Sequence, residues 1–476
     1  MSISFISMLS LKNIKFISFI IPIVTLFCSC KNEFKGSDYV AYFGGEIVNP
    51  KNTYVLFCKD NEVIDTLKLD KNNRFFILFD SLAPGMYTFK HEREYQYVYF
   101  DKNDSIMVRV NSKDFDGSVV FCGRGDQKNN FLIEQYLKNE KDKNSMFPIW
   151  DYDVNKFSYS IDSSYQVANK FYSARREEIK WSDEFNEYAK AALDYQYYSK
   201  KEFYPIIHKM RTGKDVFESL PKDFYSFRKN IDCNNVVLAF YSPFVMYLTQ
   251  MLNNMGAINY HNHFSEADLS LKTNINKMNI ADTLIKNIKV KNTVLNTIAF
   301  QYLLEDQNIV NNNIFIDTYY KYSTDKSYEN EILKIGNAIQ LLKPNFELPI
   351  VKLIDKNRIE ITSDKVITKK SVIFFWTNSA KSHLEAAHKK IFTLKTKYPN
   401  YDFIAININD SQEDFEKVLS DYNFKGISEL RCPNFEGIKS KWAINKIYRA
   451  IVTGNNGKIK NAFTNIFDVH FEDSLN

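Results

Sequence analysis

The sequence predicts a multidomain protein with a small N-terminal β-sandwich, a helical middle region and a C-terminal α/β domain. Short segments of alternating apolar and polar residues, separated by turn residues, continue to Cys122. Apolar residues then recur at the helical period from Gln127 to about Leu342, and strand and helix patterns alternate after Pro344. The expected boundaries are an export signal over 1–30, a β-sandwich-like domain over 31–125, a helical region over 126–342 and the α/β domain over 343–476.

The composition is typical of a globular chain, with 45% hydrophobic and 25% charged residues. A length of 476 residues is enough for two or three domains of ordinary size. Lys and Arg number 62 against 57 Asp and Glu, and the resulting net charge of +5 is not concentrated in a basic block. This balance argues against a dedicated nucleic-acid binder, so we expect no nucleic-acid partner.

The N-terminal residues have the three zones of an export signal. Lys12 and Lys15 supply positive charge, residues 16–27 are mostly apolar, and the small Ser29 precedes Cys30. The apolar run is shorter than the ~20 residues needed to cross a bilayer, so we expect a signal peptide. An uncleaved or ordinary secretory leader is the alternative.

The end of this leader, Leu26-Phe27-Cys28-Ser29-Cys30, resembles a bacterial lipoprotein box. The resemblance implies that Cys30 is acylated and becomes the mature N-terminus. We therefore expect a periplasm-facing lipoprotein of the inner or outer membrane, which contacts the membrane through its lipid anchor only.

The remaining cysteines are scattered singly and form neither a CxxC motif nor a metal-binding spacing. They are Cys58, Cys122, Cys233 and Cys432. Cys58 and Cys122 both lie in predicted strands and could pair, but we expect two small buried thiols.

Four predicted strands define the β domain, and turn residues separate them as a small antiparallel sandwich requires. The strands cover residues 54–57, 63–67, 74–78 and 97–100. The turns are Asn49-Pro50, Lys71-Asn72-Asn73, Ala83-Pro84-Gly85 and Lys102-Asn103-Asp104.

Six fragments, in order, resemble the β-rich domain of unknown function that precedes TlpA-like thioredoxin domains in lipoproteins of the Bacteroidota. They are Phe43-Gly44-Gly45, Ile64-Asp65-Thr66, residues 70–75, Pro84-Gly85-Met86-Tyr87, Asp104-Ser105-Ile106 and Gly123-Arg124-Gly125.

The helical region shows no internal repeat, and breakers such as Leu220-Pro221 separate its helices. Its clearest helical stretches are residues 130–137, 188–193, 244–248 and 332–342.

Strands and helices alternate in the C-terminal region, and this rhythm predicts a mixed sheet flanked by helices. Strands are expected over residues 350–354, 358–361, 371–376, 401–408, 449–453 and 458–463, with helices over 379–397, 413–422 and 436–442. Residues 372–376 are all apolar, which is typical of a central strand buried on both faces.

This C-terminal region resembles the TlpA-like branch of the thioredoxin fold. The matching motifs are Leu348-Pro349, Phe374-Phe375-Trp376, residues 401–406 and Gly457-Lys458-Ile459. In that family a WCxxC motif follows the FW strand, because dithiol exchange needs one attacking and one resolving thiol.

The sequence departs from the family at this site. Ala380 occupies the nucleophile position and His383 the resolving one, while Ser379 replaces the tryptophan. Tyr448 falls where the family has its cis-proline and is expected to be trans, because a non-proline cis bond costs ~2.5–4 kcal/mol. Without sulfur at 380 and 383, no mixed disulfide can form there. We expect Ser379 or Asn378 to cap the following helix instead.

Two other groups of residues could in principle carry chemistry. Ser379 and Ser382 near His383 offer a nucleophile and a base, but no acid is placed to orient the imidazole. His261 and His263 could be drawn as a metal site with Glu266 and Asp268, although exposed polar residues in a loop explain this cluster as well. We therefore expect no catalytic residue, metal or cofactor at either place.

Together these observations predict a redox-inactive, lipid-anchored thioredoxin-like protein that acts as a binding or scaffolding module in the cell envelope. Its partner would be an envelope protein or peptide, held in a groove near Trp376, Ser379, His383 and Tyr448. The alternative is an enzyme, a thiol-disulfide oxidoreductase or peroxide-reducing protein that uses the relocated thiol of Cys432.

Overall fold

The computed structural model describes residues 39–476 except 93, 258–265, 306–308, 423, 445 and 469. The predicted leader with Cys30, and His261 with His263, lie outside the described residues, as do the side chains of Glu266 and Asp268. The chain divides into two compact units, of which the first ends at Ile133 and the second runs from Glu134 to Asn476.

The first unit contains two four-stranded sheets, ordered β4-β1-β7-β8 and β3-β2-β5-β6. The strands are β1 Ala41–Val48, β2 Tyr54–Lys59, β3 Glu62–Lys68, β4 Arg74–Phe79, β5 Gly85–His91, β6 Glu94–Phe100, β7 Ser105–Asn111 and β8 Val120–Arg124, with a short helix α1 at Phe115–Ser118. Asn49, Asn73, Asn103 and Gly85 have positive φ in the expected turns, a conformation that Asn and Gly tolerate.

One strand pair corrects the expectation of a purely antiparallel sandwich. β1 pairs with β7 in parallel, with Tyr42 opposite Ser105. β1 and β7 are not neighbours in the chain, because β2 to β6 lie between them and four of these strands belong to the other sheet. This long connection lets β7 run parallel to β1.

Apolar side chains from both sheets share one core, and Phe43 lies at its centre. Its ring centroid is 5.3 to 5.9 Å from those of Phe57, Phe75, Phe89 and Phe100. These contacts join β1 to strands of both sheets.

Cys58 and Cys122, the cysteines of this unit that the structure describes, are both free thiols, so they are not paired. Cys58 is buried in β2, as expected, but Cys122 is exposed on β8. The expectation of two buried thiols is therefore wrong for Cys122, whose side chain alternates with that of the core residue Phe121.

Two adjacent asparagines of helix α2 (Asp126–Ser145) form hydrogen bonds to one edge strand of each sheet, β6 and β8. The amide of Asn129 accepts from the backbone N–H of Tyr99 at 2.6 Å and donates to its carbonyl at 2.9 Å. Asn130 makes the same pair of bonds to Phe121, both at 2.9 Å. Each side chain thus replaces a neighbouring strand and blocks an edge that could pair with another chain.

We expect Asn129→Ala to lower the free energy of unfolding of the first unit by about 1–3 kcal/mol, because it leaves the buried backbone groups of Tyr99 without partners. Asn130→Ala should cost less, because its environment is more open. Urea denaturation of each variant measures this effect, with the exposed Gln127→Ala as the control from the same helix. Equal stabilities for Asn129→Ala and Gln127→Ala would contradict the capping role.

The second unit continues with long helices that cover the predicted stretches 188–193 and 244–248 and most of 332–342, whose helix ends at Gln340. They are α3 Val154–Ile179, α4 Asp183–Thr212, α5 Ser242–Ala257, α6 Glu266–Leu284, α7 Ile288–Glu305, α8 Ile309–Tyr322 and α9 Lys326–Gln340. A buried ion pair fixes part of this region, since Arg228 donates to the fully buried carboxylate of Glu202, and Asn254 donates to the same group at 2.7 Å.

The C-terminal part of this unit is a seven-stranded mixed sheet, ordered β10-β9-β13-β12-β11-β14-β15. The strands are β9 Lys352–Asp355, β10 Glu360–Thr362, β11 Ser371–Trp376, β12 Asp402–Asn407, β13 Ser428–Arg431, β14 Arg449–Thr453 and β15 Ile459–Asn465. The helices are α10 Ser363–Val366, α11 Lys381–Lys397, α12 Gln412–Asp421 and α13 Phe435–Trp442. Sequence patterns predicted all of these strands except β13.

The connection of these elements is that of a thioredoxin-like fold. β11, α11 and β12 form a βαβ unit with parallel strands, and β14 pairs antiparallel with both β11 and β15. Every residue of β11 is buried, which confirms that it is a central strand covered on both faces.

Candidate functional site

The candidate site lies where β11 ends and α11 begins, at the residues that the sequence resemblance pointed to. A 3₁₀ turn over Asn378–Ala380 joins the two elements, and Ala380 occupies the N-cap of α11 with no side-chain hydrogen bond to the helix. The methyl group of Ala380 therefore stands at the helix N-terminus, where a thiolate would be stabilised by the helix dipole.

The expected capping role of Ser379 or Asn378 is wrong. Thr377 caps the turn instead, because its hydroxyl accepts from the backbone N–H of Ser379. Ser379 is exposed, and its hydroxyl lies 3.1 Å from that of Thr377.

His383 is held in the first turn of α11 by the strand that precedes it. Its Nε2 lies 3.0 Å from the carbonyl oxygen of Phe375, and since a carbonyl only accepts, this nitrogen carries the proton. The imidazole also meets the ring of Phe467 edge to face, at a centroid distance of 5.6 Å. Partial burial lowers the pKa of His383, so the neutral ring is favoured.

Tyr448 comes to the same region from the strand hairpin. The described peptide bonds include no cis bond, so Tyr448 is trans, as expected. Its carbonyl accepts from the backbone N–H of Ile466 at 3.0 Å, which brings the end of β15 and the following Phe467 beside it. Tyr448 is 37% exposed and Phe467 42% exposed, so this end of the domain presents two aromatic rings to solvent.

Trp376 lies in the core and offers no side-chain surface to a groove. It is fully buried, and its indole N–H donates to Glu429 Oε2 at 3.0 Å. Its ring also stacks on that of Phe415 of α12, at 5.9 Å between centroids. The expectation that Trp376 lines a binding groove is corrected by this burial.

Glu429 links Trp376 to a second buried group, His388 of α11. Glu429 Oε1 lies 3.1 Å from His388 Nε2, and His388 Nδ1 donates to the carbonyl of Leu384 at 2.7 Å. Burial raises the pKa of Glu429, although its hydrogen bonds to His388 and Trp376 oppose this effect. One buried carboxyl group thus joins the end of β11 to α11 through its two oxygens.

Asp410 fastens the turn that precedes α11. Its carboxylate accepts from the hydroxyl of Thr377 at 2.7 Å, the backbone N–H of Asn378 at 2.6 Å and the amide of Asn407 at 2.6 Å. Its backbone carbonyl accepts from Arg431 Nε at 3.0 Å. Sequence reasoning missed Asp410, although the polar run after the predicted strand 401–408 was a signal for it.

Cys432 lies at the end of β13, close to this turn in the fold but buried. Its backbone N–H donates to the carbonyl of Asn407 at 2.9 Å, and the residue is 4% exposed. Cys432 therefore offers no accessible thiol to the surface formed by His383, Tyr448 and Phe467.

Solved structures that match this chain have thioredoxin-like folds. They include the thioredoxin domain of a thiol-disulfide oxidoreductase from Bacteroides vulgatus, 14% identical, covering 25% of this chain and 86% of that domain with a TM-score of 0.22. A thiol:disulfide interchange protein from a Bacteroides species is 15% identical and covers 25% of this chain and 79% of that one, with a TM-score of 0.21.

A thioredoxin-like protein from Bacteroides caccae covers more of this chain, 56%, and 89% of its own length. It is 10% identical and has a TM-score of 0.33. No protein-family model matches the chain, and no curated protein matches it.

Within the described ranges, no group of His, Cys, Asp and Glu side chains could hold a metal ion. In the same part of the chain, no helix combines the length and apolar character needed to cross a bilayer.

We expect the pKa of the His383 imidazole to lie below its ordinary value of about 6.5, because partial burial against Phe467 disfavours the charged ring more than the hydrogen bond to the Phe375 carbonyl stabilises it. Phe467→Ala exposes the ring to water and should raise this pKa toward its ordinary value. NMR titration of the histidine resonances measures both values, and Phe392→Ala on the exposed side of α11 serves as the control. A pKa of His383 at or above 6.5 in the unmodified protein would contradict this account.

Proposed function

We propose that the chain is a thioredoxin-like protein of the cell envelope that has exchanged dithiol chemistry for binding. In this proposal Cys30 carries a lipid anchor and the body faces the periplasm. An envelope protein or peptide binds at the end of the domain where His383, Tyr448 and Phe467 meet.

The packing of positions 380 and 383 carries this proposal. Thiol-disulfide exchange requires a sulfur that attacks and a second sulfur that releases the mixed disulfide. Ala380 has no reactive group, and His383 holds its Nε2 proton toward the carbonyl of Phe375. Both positions therefore act as structural parts of the strand-to-helix turn.

The surrounding surface supports binding. Tyr448 immediately precedes β14 and Phe467 follows the adjacent β15; both are exposed, and aromatic side chains supply much of the energy at protein interfaces. Lys446 lies 5.9 Å from the Tyr448 ring centroid, so a positive charge borders the apolar surface. A peptide that combines an apolar side chain with an acidic group has complementary chemistry.

The burial of Cys432 disfavours the enzymatic alternative. A relocated nucleophile must reach its substrate as a thiolate in a partly exposed, electropositive environment. Cys432 is 4% exposed, so the domain would first have to open around it.

Insulin disulfide reduction driven by dithiothreitol tests the proposal. We expect no turnover above background by the natural chain or by Cys432→Ser, because positions 380 and 383 carry no sulfur and Cys432 is buried. The double variant Ala380→Cys/His383→Cys restores both sulfurs at the helix N-terminus and should reduce insulin catalytically. Ala380→Cys/His383→Ser, which has the attacking sulfur but not the resolving one, is the matched control.

Turnover by the natural chain that is lost in Cys432→Ser would overturn the proposal, because it would show that the catalytic sulfur has moved to position 432. Turnover by the double-cysteine variant alone is the result that the proposal requires.

A further inference from the structure

One face of the sheet β4-β1-β7-β8 carries exposed apolar side chains away from the sandwich core. Core residues such as Phe43 and Phe75 alternate along the strands with outward-facing residues. The register places Phe76 of β4 and Met107 of β7 on either side of Gly44 in β1. We call this surface the apolar face, and it comprises Tyr42, Phe76, Leu78, Met107, Val120 and Cys122.

The apolar face leaves large apolar side chains in contact with water, which does not stabilise the folded chain. Phe76 is 62% exposed, Val120 58% and Leu78 46%. Contiguous apolar residues on a surface mark a site of interaction with a protein or a membrane.

Gly44 shapes the middle of this face. A Cβ atom at position 44 would lie 2.9 Å from Met107 Sδ and 3.0 Å from Phe76 Cδ2. The missing side chain thus lets both apolar groups lie over β1, and the result is a continuous apolar surface across the central strands.

Arginines border the apolar face on the same side of the sheet. Arg74 and Arg109 flank Glu46, at 3.6 and 3.8 Å from its carboxylate, and their side chains are 64% and 69% exposed. Arg124 lies at the other corner, opposite Ser105. Glu46 lies between two of these arginines and the carboxylate of Asp70 lies beside Arg74, so three guanidinium groups face two carboxylates and the border keeps an excess of positive charge.

The proposed lipid anchor lies close to this face along the chain. Residues 30–39 span at most about 30 Å when fully extended. They lead directly into β1, the strand that carries Tyr42 and Gly44. A tether of this length keeps the sandwich near the bilayer and raises the effective concentration of lipid at its surface.

We propose that the apolar face docks on an anionic lipid bilayer, with its apolar side chains in the interfacial region and Arg74, Arg109 and Arg124 on lipid phosphates. This inference rests on the lipid anchor of the proposed function. A short tether keeps the sandwich near the bilayer, so lipid is favoured over other apolar partners. Aromatic and apolar side chains bordered by arginine suit the interfacial region of a membrane with anionic lipids.

Vesicle co-sedimentation of the mature chain carrying Cys30→Ser tests the docking without an acyl chain. Vesicles contain phosphatidylglycerol and phosphatidylethanolamine in equal parts, and phosphatidylcholine vesicles provide the uncharged comparison. We expect binding to the anionic vesicles and at least a tenfold loss in Phe76→Ser/Leu78→Ser. Val63→Ser/Ile64→Ser removes exposed apolar residues from β3 and is the matched control, which should bind as before.

Failure of the Cys30→Ser chain to bind anionic vesicles would overturn the docking proposal, as would equal losses in the two double variants. Circular dichroism and thermal melting establish that each variant is folded. Dimerisation abolished by Phe76→Ser/Leu78→Ser in sedimentation velocity, without vesicle binding, would assign the face to a second copy of the chain instead. Palmitate labelling of the natural chain tests the anchor separately, so failure of the anchor and failure of docking are distinguishable.

Discussion

A chain of buried hydrogen bonds from Trp376 through Glu429 to His388 holds the centre of the thioredoxin-like domain together. β11 is buried along its whole length, so the indole N–H at its end needs an internal acceptor. Glu429 of β13 supplies that acceptor, and His388 of α11 satisfies its second oxygen. These bonds fix the end of the strand against the helix and thereby the geometry of the turn between them.

The turn between β11 and α11 is held rigidly by side-chain hydrogen bonds and carries no sulfur at positions 380 and 383. Asp410 fastens Thr377 and Asn378, and the carbonyl of Phe375 accepts from His383. A helix N-terminus that could lower a thiol pKa therefore carries a methyl group, and the adjacent surface presents aromatic rings. The proposed binding function depends on this rigid turn and on the aromatic rings beside it.

Local patterns in the sequence were sufficient for much of the fold. The all-apolar run of β11 and the Asn and Gly turns of the sandwich each depend on neighbouring residues only. The parallel pairing of β1 with β7 and the contact between His388 and Glu429 depend on residues far apart in the chain, so no local pattern predicts them.

Two errors at single residues have a similar origin. Ser379 was the better cap by residue type, but Thr377 is already fixed by Asp410 and therefore takes that role. Trp376 ends the strand beside the candidate site. Its indole nevertheless lies in the core, because it donates to Glu429 there. The departures at 380, 383 and 448 were readable directly, because they are changes of residue type within a recognisable motif.

The central claim is that no reactive thiol serves this domain, and cysteine-resolved alkylation under native conditions tests it most directly. Brief iodoacetamide treatment at neutral pH, followed by peptide mass spectrometry, gives the rate at each cysteine. The account predicts rapid labelling of the exposed Cys122 and strong protection of the buried Cys432, with labelling of Cys432 only after unfolding. Labelling of Cys432 in the native protein as fast as that of Cys122, or faster, would contradict it.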